Sequence, residues 1–423
     1  MFDLVRRVLE LDHRGESQPF GNVTRLVDFL KEYGTYPPFY AVEEGANEPE
    51  CVIEGKKYLM FTSNNYLSLS EEPAVREAAI QAIERYGIGP GGSRVLSGTL
   101  DVTVELEAKI ARLLGTEDCL TFPTGYMANV SVFSALMNPF LGRMPYDRRD
   151  GVVFLDEFIH GSIEDGCRLA GARVVRFRHD DLTDLRHKIE ENLERTNRLI
   201  VTEGVYCLEG EIIDIPAYVA LAREYEAKLM VDDAHAIGVI GSRGGGSPDY
   251  HAIPGQIDLL MGAMDKGLGG TGGYLAGSRA LIDYLRIATN SSMLSSALPA
   301  SMAGAMLVAL SIAEQADDRR QDLARKCRYL RSGLREAGLQ VLGEDDIPSV
   351  PLFLGREEIG IEFAARLREK GIFAIIMRWP GVPAQRSRIR LSLMARHTYD
   401  HLDRLIDACR ETGRELGVIP AAV

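Results

Sequence analysis

The sequence predicts an α/β protein built on a largely parallel sheet with helices on both faces. Short apolar runs recur between about residues 119 and 261, and helical apolar spacing separates most of them. The runs are apolar throughout instead of alternating, as strands covered on both sides require. After about residue 300 the pattern changes to a long Ala/Met/Leu-rich helix and a shorter α+β tail.

Taken in order, residues 1–60 read as an N-terminal arm. Val5, Leu9, Val23, Leu26, Val27 and Leu30 suggest short amphipathic helices, and Tyr36-Pro37-Pro38 a connection. Glu54-Gly55-Lys56, between the runs Cys51–Ile53 and Tyr58–Phe61, reads as a hairpin turn. Residues 61–299 form the expected large domain. Its helices are expected at Pro73–Tyr86, Thr103–Leu114, Ile163–Leu169, Leu182–Leu193 and Ala217–Tyr225, the second ended by Gly115. Its strands are expected at Cys119–Phe122, Val152–Leu155, Arg173–Phe177, Leu199–Val201, Leu229–Val231 and Leu259–Met261. Residues 300–423, opening on the helix Ala300–Ala316, form the expected small C-terminal domain.

Composition narrows the function classes. The 423 residues are 46% hydrophobic and 26% charged, ordinary values for a folded chain of two or three domains. Lys plus Arg number 48 against 61 Asp plus Glu, a net charge of −13 with no basic block, so nucleic acid is not the expected ligand. The six cysteines form no CxxC pair and no metal-ligand spacing with histidine, which points to a reduced, cytoplasmic protein without a metal site. The charged N-terminus does not read as a signal peptide, and no apolar run reaches the ~18 residues of a membrane span.

Five segments carry chemistry. Met230-Val231-Asp232-Asp233-Ala234-His235 ends an apolar strand in an acid, where open α/β sheets place ligands. Asp232 is expected to face a site; capping a helix is the plainer use of the same acid. Asp233 is expected to be the solvated one of the pair. Lys266 stands between the run ending at Met261 and a turn with five glycines in seven residues. A lysine desolvated there suits Schiff-base chemistry, and a flexible turn with a surface lysine is the alternative. Gly267–Gly272 fits GxGxxG but comes too late for a dinucleotide fingerprint, and Lys266 precedes the glycines, unlike a P-loop lysine.

Thr124-Gly125-Tyr126 follows the run ending at Phe122. Such a strand–helix junction offers free N–H groups and a positive dipole end to an anion. Tyr126 suits stacking on a planar ring, or core packing. His160, just past Leu155, reads alone as an ordinary core or surface histidine. Arg386, Arg388 and Arg390 alternate along a strand, so one face presents guanidinium groups able to hold a carboxylate, with at least one expected in solvent.

In this order the five segments resemble the α-oxoamine synthase family of pyridoxal 5′-phosphate (PLP) enzymes. The similarity runs from about Phe61 to the C-terminus. It includes Ser63-Asn64-Asn65-Tyr66-Leu67, Gly92-Ser93-Arg94 with Gly98-Thr99, Thr124 to Asn129, and Glu203-Gly204-Val205-Tyr206. It also includes Asp232 to Gly238, the Lys266 turn, and Arg390 with Ala395 and His397-Thr398. Phe177-Arg178-His179-Asp180 and Pro380–Pro383 look most like the serine palmitoyltransferase branch. The Asp-Asp-Ala-His spelling and Leu416–Ile419 look more like the 2-amino-3-ketobutyrate ligase branch.

The resemblance implies the PLP-dependent transferase fold type I, with a mostly parallel seven-stranded sheet in the large domain. It implies a homodimeric acyltransferase joining serine, glycine or alanine to an acyl-CoA or acyl-carrier-protein thioester, with loss of CO₂. Serine with a long acyl chain is the first specific expectation. By the same resemblance Lys266 bonds the cofactor and carries the α-proton. Asp232 faces the pyridine nitrogen, His235 the phenolic oxygen, and His160 stacks on the ring. Thr124, Gly125 and Tyr126 hold the phosphate, joined by Ser295 of the partner subunit. Arg390 with Asn64 grips the substrate carboxylate. Three places depart from the family. Ala263 and Asp265 stand where it carries hydroxyl residues before the lysine, Cys207 stands where it carries a serine near the ring, and the arm matches nothing in it. An aldol-type cleavage or a simple decarboxylation, or a non-catalytic partner subunit, are the alternatives.

Overall fold

The computed structural model describes residues 41–137, 151–344, 346–379 and 381–419, with Thr24, Val27, Asp28 and Lys31. By internal contact the chain divides into a unit of residues 1–45 with 52–56 and a unit of residues 46–51 with 57–423. Val5, Leu9, Val23, Leu26, Leu30, Tyr36-Pro37-Pro38 and Pro380 lie outside the described residues; Val27 is helical.

In the smaller unit, strand Glu43–Glu44 runs antiparallel to Val52 and Ile53. Glu54 and Gly55 both take positive φ (51° and 74°), the pair of left-handed residues that a tight two-residue hairpin turn needs. The expected turn is there, and Gly55 N–H donates to Glu44 Oε1 at 2.9 Å.

Seven strands organise the larger unit. Their order across the sheet is Asp118–Phe122, Gly273–Gly277, Leu259–Ala263, Lys228–Asp232, Asn197–Glu203, Gly151–Asp156 and Arg173–Phe177. All run parallel except Gly273–Gly277, which is antiparallel to both neighbours. Six are the expected strands. Gly273–Gly277 lies outside them, because glycine carries little strand signal. Its glycine is there for space: a Cβ on Gly273 would come within 2.5 Å of Gly125 Cα, so the strand lets the helix Gly125–Met137 start hard against it.

Alternate residues of the strands feed two cores. Val152, Phe154, Ile200, Val231 and Leu260 belong to one. Val153, Leu155, Val201, Met230 and Met261 belong to the other, which Gly125–Met137 and the helix Gly161–Ala170 cover. A residue two past Met230, or two past Val201, therefore continues on this second face. Those residues are Asp232 and Glu203, in register at the carboxyl ends of adjacent strands.

Helix ends follow local chemistry. Pro73–Tyr86 has proline in its first turn, and Asp101–Leu114 stops at Gly115 with φ 69°. The helix Ala300–Gln315 packs on both of them. After it, helices Asp317–Glu336, Glu357–Glu369 and Tyr399–Glu415 accompany an antiparallel sheet of Ser349–Gly355, Ser387–Ser392 and Ile376–Met377. No helix among the described residues is long and apolar enough to cross a membrane.

Candidate active site

The carboxyl ends of the central strands gather the predicted side chains. Asp232 is 5% exposed. Its Oδ2 accepts from Asn129 Nδ2 at 2.8 Å, and its Oδ1 from Ala234 N–H at 3.0 Å. One oxygen thus braces the turn that follows, and the other faces the start of Gly125–Met137. Asn129 Nδ2 also donates to Ser162 Oγ at 3.0 Å, and Ser162 Oγ lies 2.7 Å from His160 Nδ1. His160 caps Gly161–Ala170 by accepting from Ser162 N–H, and its own N–H donates to Glu203 Oε1 at 2.8 Å. The residue is exposed, so His160 is not a core histidine. One polar chain therefore joins Asp232 to His160.

Asp233, expected in solvent, is fully buried. Ser247 donates both its N–H (2.7 Å) and its hydroxyl (2.6 Å) to the carboxyl group. Gly204 and Gly246 make the room, since a Cβ on them would come within 2.0 and 2.5 Å of its oxygens. Burial pushes this carboxyl up to about 7 from its ordinary 3.8, against the Ser247 hydrogen bonds. The folded chain thus holds the proton more tightly than the unfolded one. Stability from this group is full below the ordinary value and is lost as pH rises through about 7. Asp233→Asn is expected to flatten that part of the slope in urea midpoints measured across this range. An unchanged slope would place the pH dependence elsewhere.

The turn after Asp232 presents His235. Its Nδ1 lies 2.8 Å from the Tyr66 hydroxyl. Burial, then the charges of Lys266, Arg390 and His160, hold the imidazole well below its usual range, so it is neutral. Burial likewise pushes the Tyr66 phenol up. Lys266 packs beside this turn: a Cβ on Gly267 would come within 2.4 Å of the Ile237 carbonyl oxygen. Lys266 Nζ lies 3.3 Å from Asp265 Oδ1, with the lysine side chain 16% and the aspartate 49% exposed. Lys266 is therefore no surface lysine, and Asp265 is paired with a cation.

Arg390 reaches Asn64 Oδ1 (2.8 Å) and Cys207 Sγ (3.5 Å). Burial pushes the Cys207 thiol up, with Arg390 opposing. The other two arginines separate. Arg388 is buried on Glu209 (3.0 Å) and the Leu208 carbonyl (2.6 Å), while Arg386 precedes the strand and is exposed.

Helix Gly125–Met137 starts beside the Lys266 turn, because a Cβ on Gly125 would meet Met261 Cε at 2.9 Å and Ala263 Cβ at 3.1 Å. Thr124 Oγ1 accepts from Met127 N–H at 3.2 Å. Tyr126 is 51% exposed and donates to Asp165 Oδ2, so it is not core packing. Ser295 follows the short helix Asn290–Leu294, and no hydrogen bond among the described residues ties it to this cluster.

Sequence reasoning named Lys266, Asp232, His235, His160, Arg390 and Asn64, and the structure brings them together. It gave no role to Asn129, Tyr66 or Glu203, whose partners Asp232, His235 and His160 lie 43 to 169 positions away along the chain, nor to Ser162, which meets Asn129 across 33. The donor set suits PLP: an acid for the ring nitrogen, a neutral histidine for the phenolic oxygen, a lysine for the aldehyde and a helix start for the phosphate. Among the described residues no cluster of His, Cys, Asp or Glu is arranged for a metal. A cavity of about 820 Å³ opens at the other end of the sheet, against Asn197, Lys228 and Leu259, away from this chemistry.

Comparison with known proteins agrees with the geometry. The family model described as aminotransferase class I and II matches residues 56–409. The chain is 37% identical to an 8-amino-7-oxononanoate synthase of Lysinibacillus sphaericus, over 88% of this chain and 93% of that one. It is 38% identical to a serine palmitoyltransferase of Sphingobacterium spiritivorum, over 90% and 93%. A high-resolution structure of SPT with its PLP internal aldimine superposes with a TM-score of 0.87 at 30% identity, covering 95% of this chain and 98% of that one. The fold, the gathered side chains and these likenesses agree: the chain belongs to the aminotransferase class I and II family and, within it, to the PLP-dependent α-oxoamine synthases.

Proposed function

We propose that this enzyme condenses serine, glycine or alanine with an acyl-CoA or acyl-carrier-protein thioester, releasing CO₂, the free thiol and an α-aminoketone. The observation that carries this reading is Arg390, anchored on Asn64, beside the Lys266–Asp232–His235 cluster. A guanidinium there can hold the amino-acid carboxylate by two hydrogen bonds.

When bound, PLP supplies a conjugated ring able to take up the electron pair left at the α-carbon. The chain's own groups do the rest. Lys266 takes the α-proton. Asp232, fixed by Asn129 and Ala234, keeps a proton on the ring nitrogen. In the tautomer where Tyr66 donates to His235 Nδ1, Nε2 would carry the hydrogen toward the phenolic oxygen. His160 offers a flat face. Thr124, Gly125 and Tyr126 hold the phosphate at the helix start, with Ser295 of the partner subunit completing it in a homodimer. The large domain of residues 61–299 carries the cofactor, and the small domain of residues 300–423 carries Arg390. The new C–C bond forms to the thioester carbonyl carbon as the thiol leaves, and CO₂ departs from the carboxylate that Arg390 held.

The six cysteines are free, which supports a reducing compartment such as the cytoplasm. Serine with a long acyl chain is the first pair to try, supported by the serine palmitoyltransferase likeness. The test is a matrix of the three amino acids against acyl-CoA and acyl-carrier-protein thioesters of rising length, read by thiol release. Release only when both substrates are present supports condensation; none with any pair contradicts it.

Asp265 gives a separate prediction. An ionised aspartate cannot donate to phosphate, whereas serine can. Asp265→Ser is expected to tighten PLP binding by about 1–3 kcal/mol, one charge-assisted hydrogen bond. Titration of the apo-protein measures it. Weaker binding would show that the Asp265–Lys266 pair itself supports the site.

A further inference from the structure

We propose that Glu203 positions His160, and that it does so as a neutral carboxylic acid, whereas its register partner Asp232 serves the cofactor. The inference rests on the placement of His160 against the cofactor.

Asp232 and Glu203 are register partners on adjacent parallel strands, so their side chains leave the same face. Both are buried, at 5% and 8% exposure. Two buried carboxylates side by side resist ionising together. Their donors set them apart. Asp232 accepts from two N–H groups, one on each oxygen. Glu203 accepts from one, the His160 amide. Among the described residues Glu203 makes no ion pair. Burial pushes its carboxyl well up, Asp232, Glu209 and Asp156 push the same way, and the His160 amide opposes them.

The consequence reaches His160 through its main chain. That residue caps Gly161–Ala170 and holds its ring through Ser162. The Glu203 hydrogen bond fixes its backbone at the turn where strand Gly151–Asp156 gives way to that helix. Ring and backbone are thus pinned separately, which keeps one face of the imidazole presented. Glu203 touches no reacting atom in this account; it acts through His160.

The test compares Glu203→Gln, Glu203→Ala, His160→Ala and the double variant Glu203→Ala/His160→Ala. The readouts are the visible circular dichroism of bound PLP, the PLP dissociation constant from titration of each apo-protein, and the apo-protein melting temperature. Glutamine keeps the acceptor oxygen and cannot ionise. Glu203→Gln is expected to stay within about twofold of the parent in PLP affinity and to keep the dichroic band. Glu203→Ala is expected to weaken PLP binding about tenfold and to lose much of the band. In the His160→Ala background it is expected to add nothing. Glu203→Gln as damaging as Glu203→Ala would show that the carboxylate is required and overturn the neutral form. Additive losses in the double variant would overturn positioning through His160 while leaving the cofactor site intact. An unchanged band in His160→Ala would overturn the stacking placement, and the inference with it.

Discussion

Lys266→Ala is expected to lose turnover by at least about 10³-fold, because one side chain serves both as the bond to the cofactor and as the base for the α-proton. The fold should survive. Lys266 ends in a half-exposed partner, Asp265, and not in a core packing contact. The glycines around it, not its side chain, settle the turn: Gly267 lies against the Ile237 carbonyl, and Gly269 takes φ 69°. The checks are turnover, reduction of the holoenzyme with borohydride, and melting. The parent should carry the reduced pyridoxyl group on the peptide containing Lys266. The variant should carry none at that position and should melt near the parent. Near-parental turnover in the variant would sink the assignment.

Asp232→Asn carries the next largest effect. Asparagine keeps the shape and one acceptor oxygen, enough for one of the two N–H groups that Asp232 holds, and PLP should remain bound. It cannot supply the negative charge that keeps the ring nitrogen protonated. α-Proton removal should slow on the order of 10²–10³-fold, the scale for losing one preorganised electrostatic partner. Exchange of the amino-acid α-hydrogen with deuterated solvent, followed by NMR, reads this step without the thioester. An unchanged exchange rate would show that Asp232 has another role. The contrast with Glu203→Gln is informative: two acids in register on one face should answer the same substitution in opposite ways.

Much of the architecture was legible because burial leaves a plain mark. Val152–Leu155 and Leu229–Val231 are apolar throughout, since helices cover both their faces. Pro73 and Gly115 mark helix ends for steric reasons that need no tertiary context. Gly273–Gly277 was not legible, because glycines bound it and Gly273 is kept bare to admit Gly125, a requirement visible only after folding. The pair Asp232-Asp233 shows the same limit at the site. Both look alike in sequence, and only the fold brings Ser247 onto Asp233 and Asn129 onto Asp232. Arg386, Arg388 and Arg390 alternate as a strand face should, yet the strand begins at Ser387 and Glu209 claims Arg388, leaving Arg390 for the site. Tyr66 carried no signal of its own, because its partner His235 lies 169 positions on.

The most direct measurement of the proposed reaction is its stoichiometry. Carboxyl-labelled serine, glycine or alanine is incubated with the holoenzyme, with and without an acyl thioester, and labelled CO₂, free thiol and aminoketone are counted together. Decarboxylative condensation predicts all three in equal amounts, and none of them without the thioester. Labelled CO₂ released at the same rate without any thioester, or an aldehyde formed in place of the aminoketone, would contradict the account.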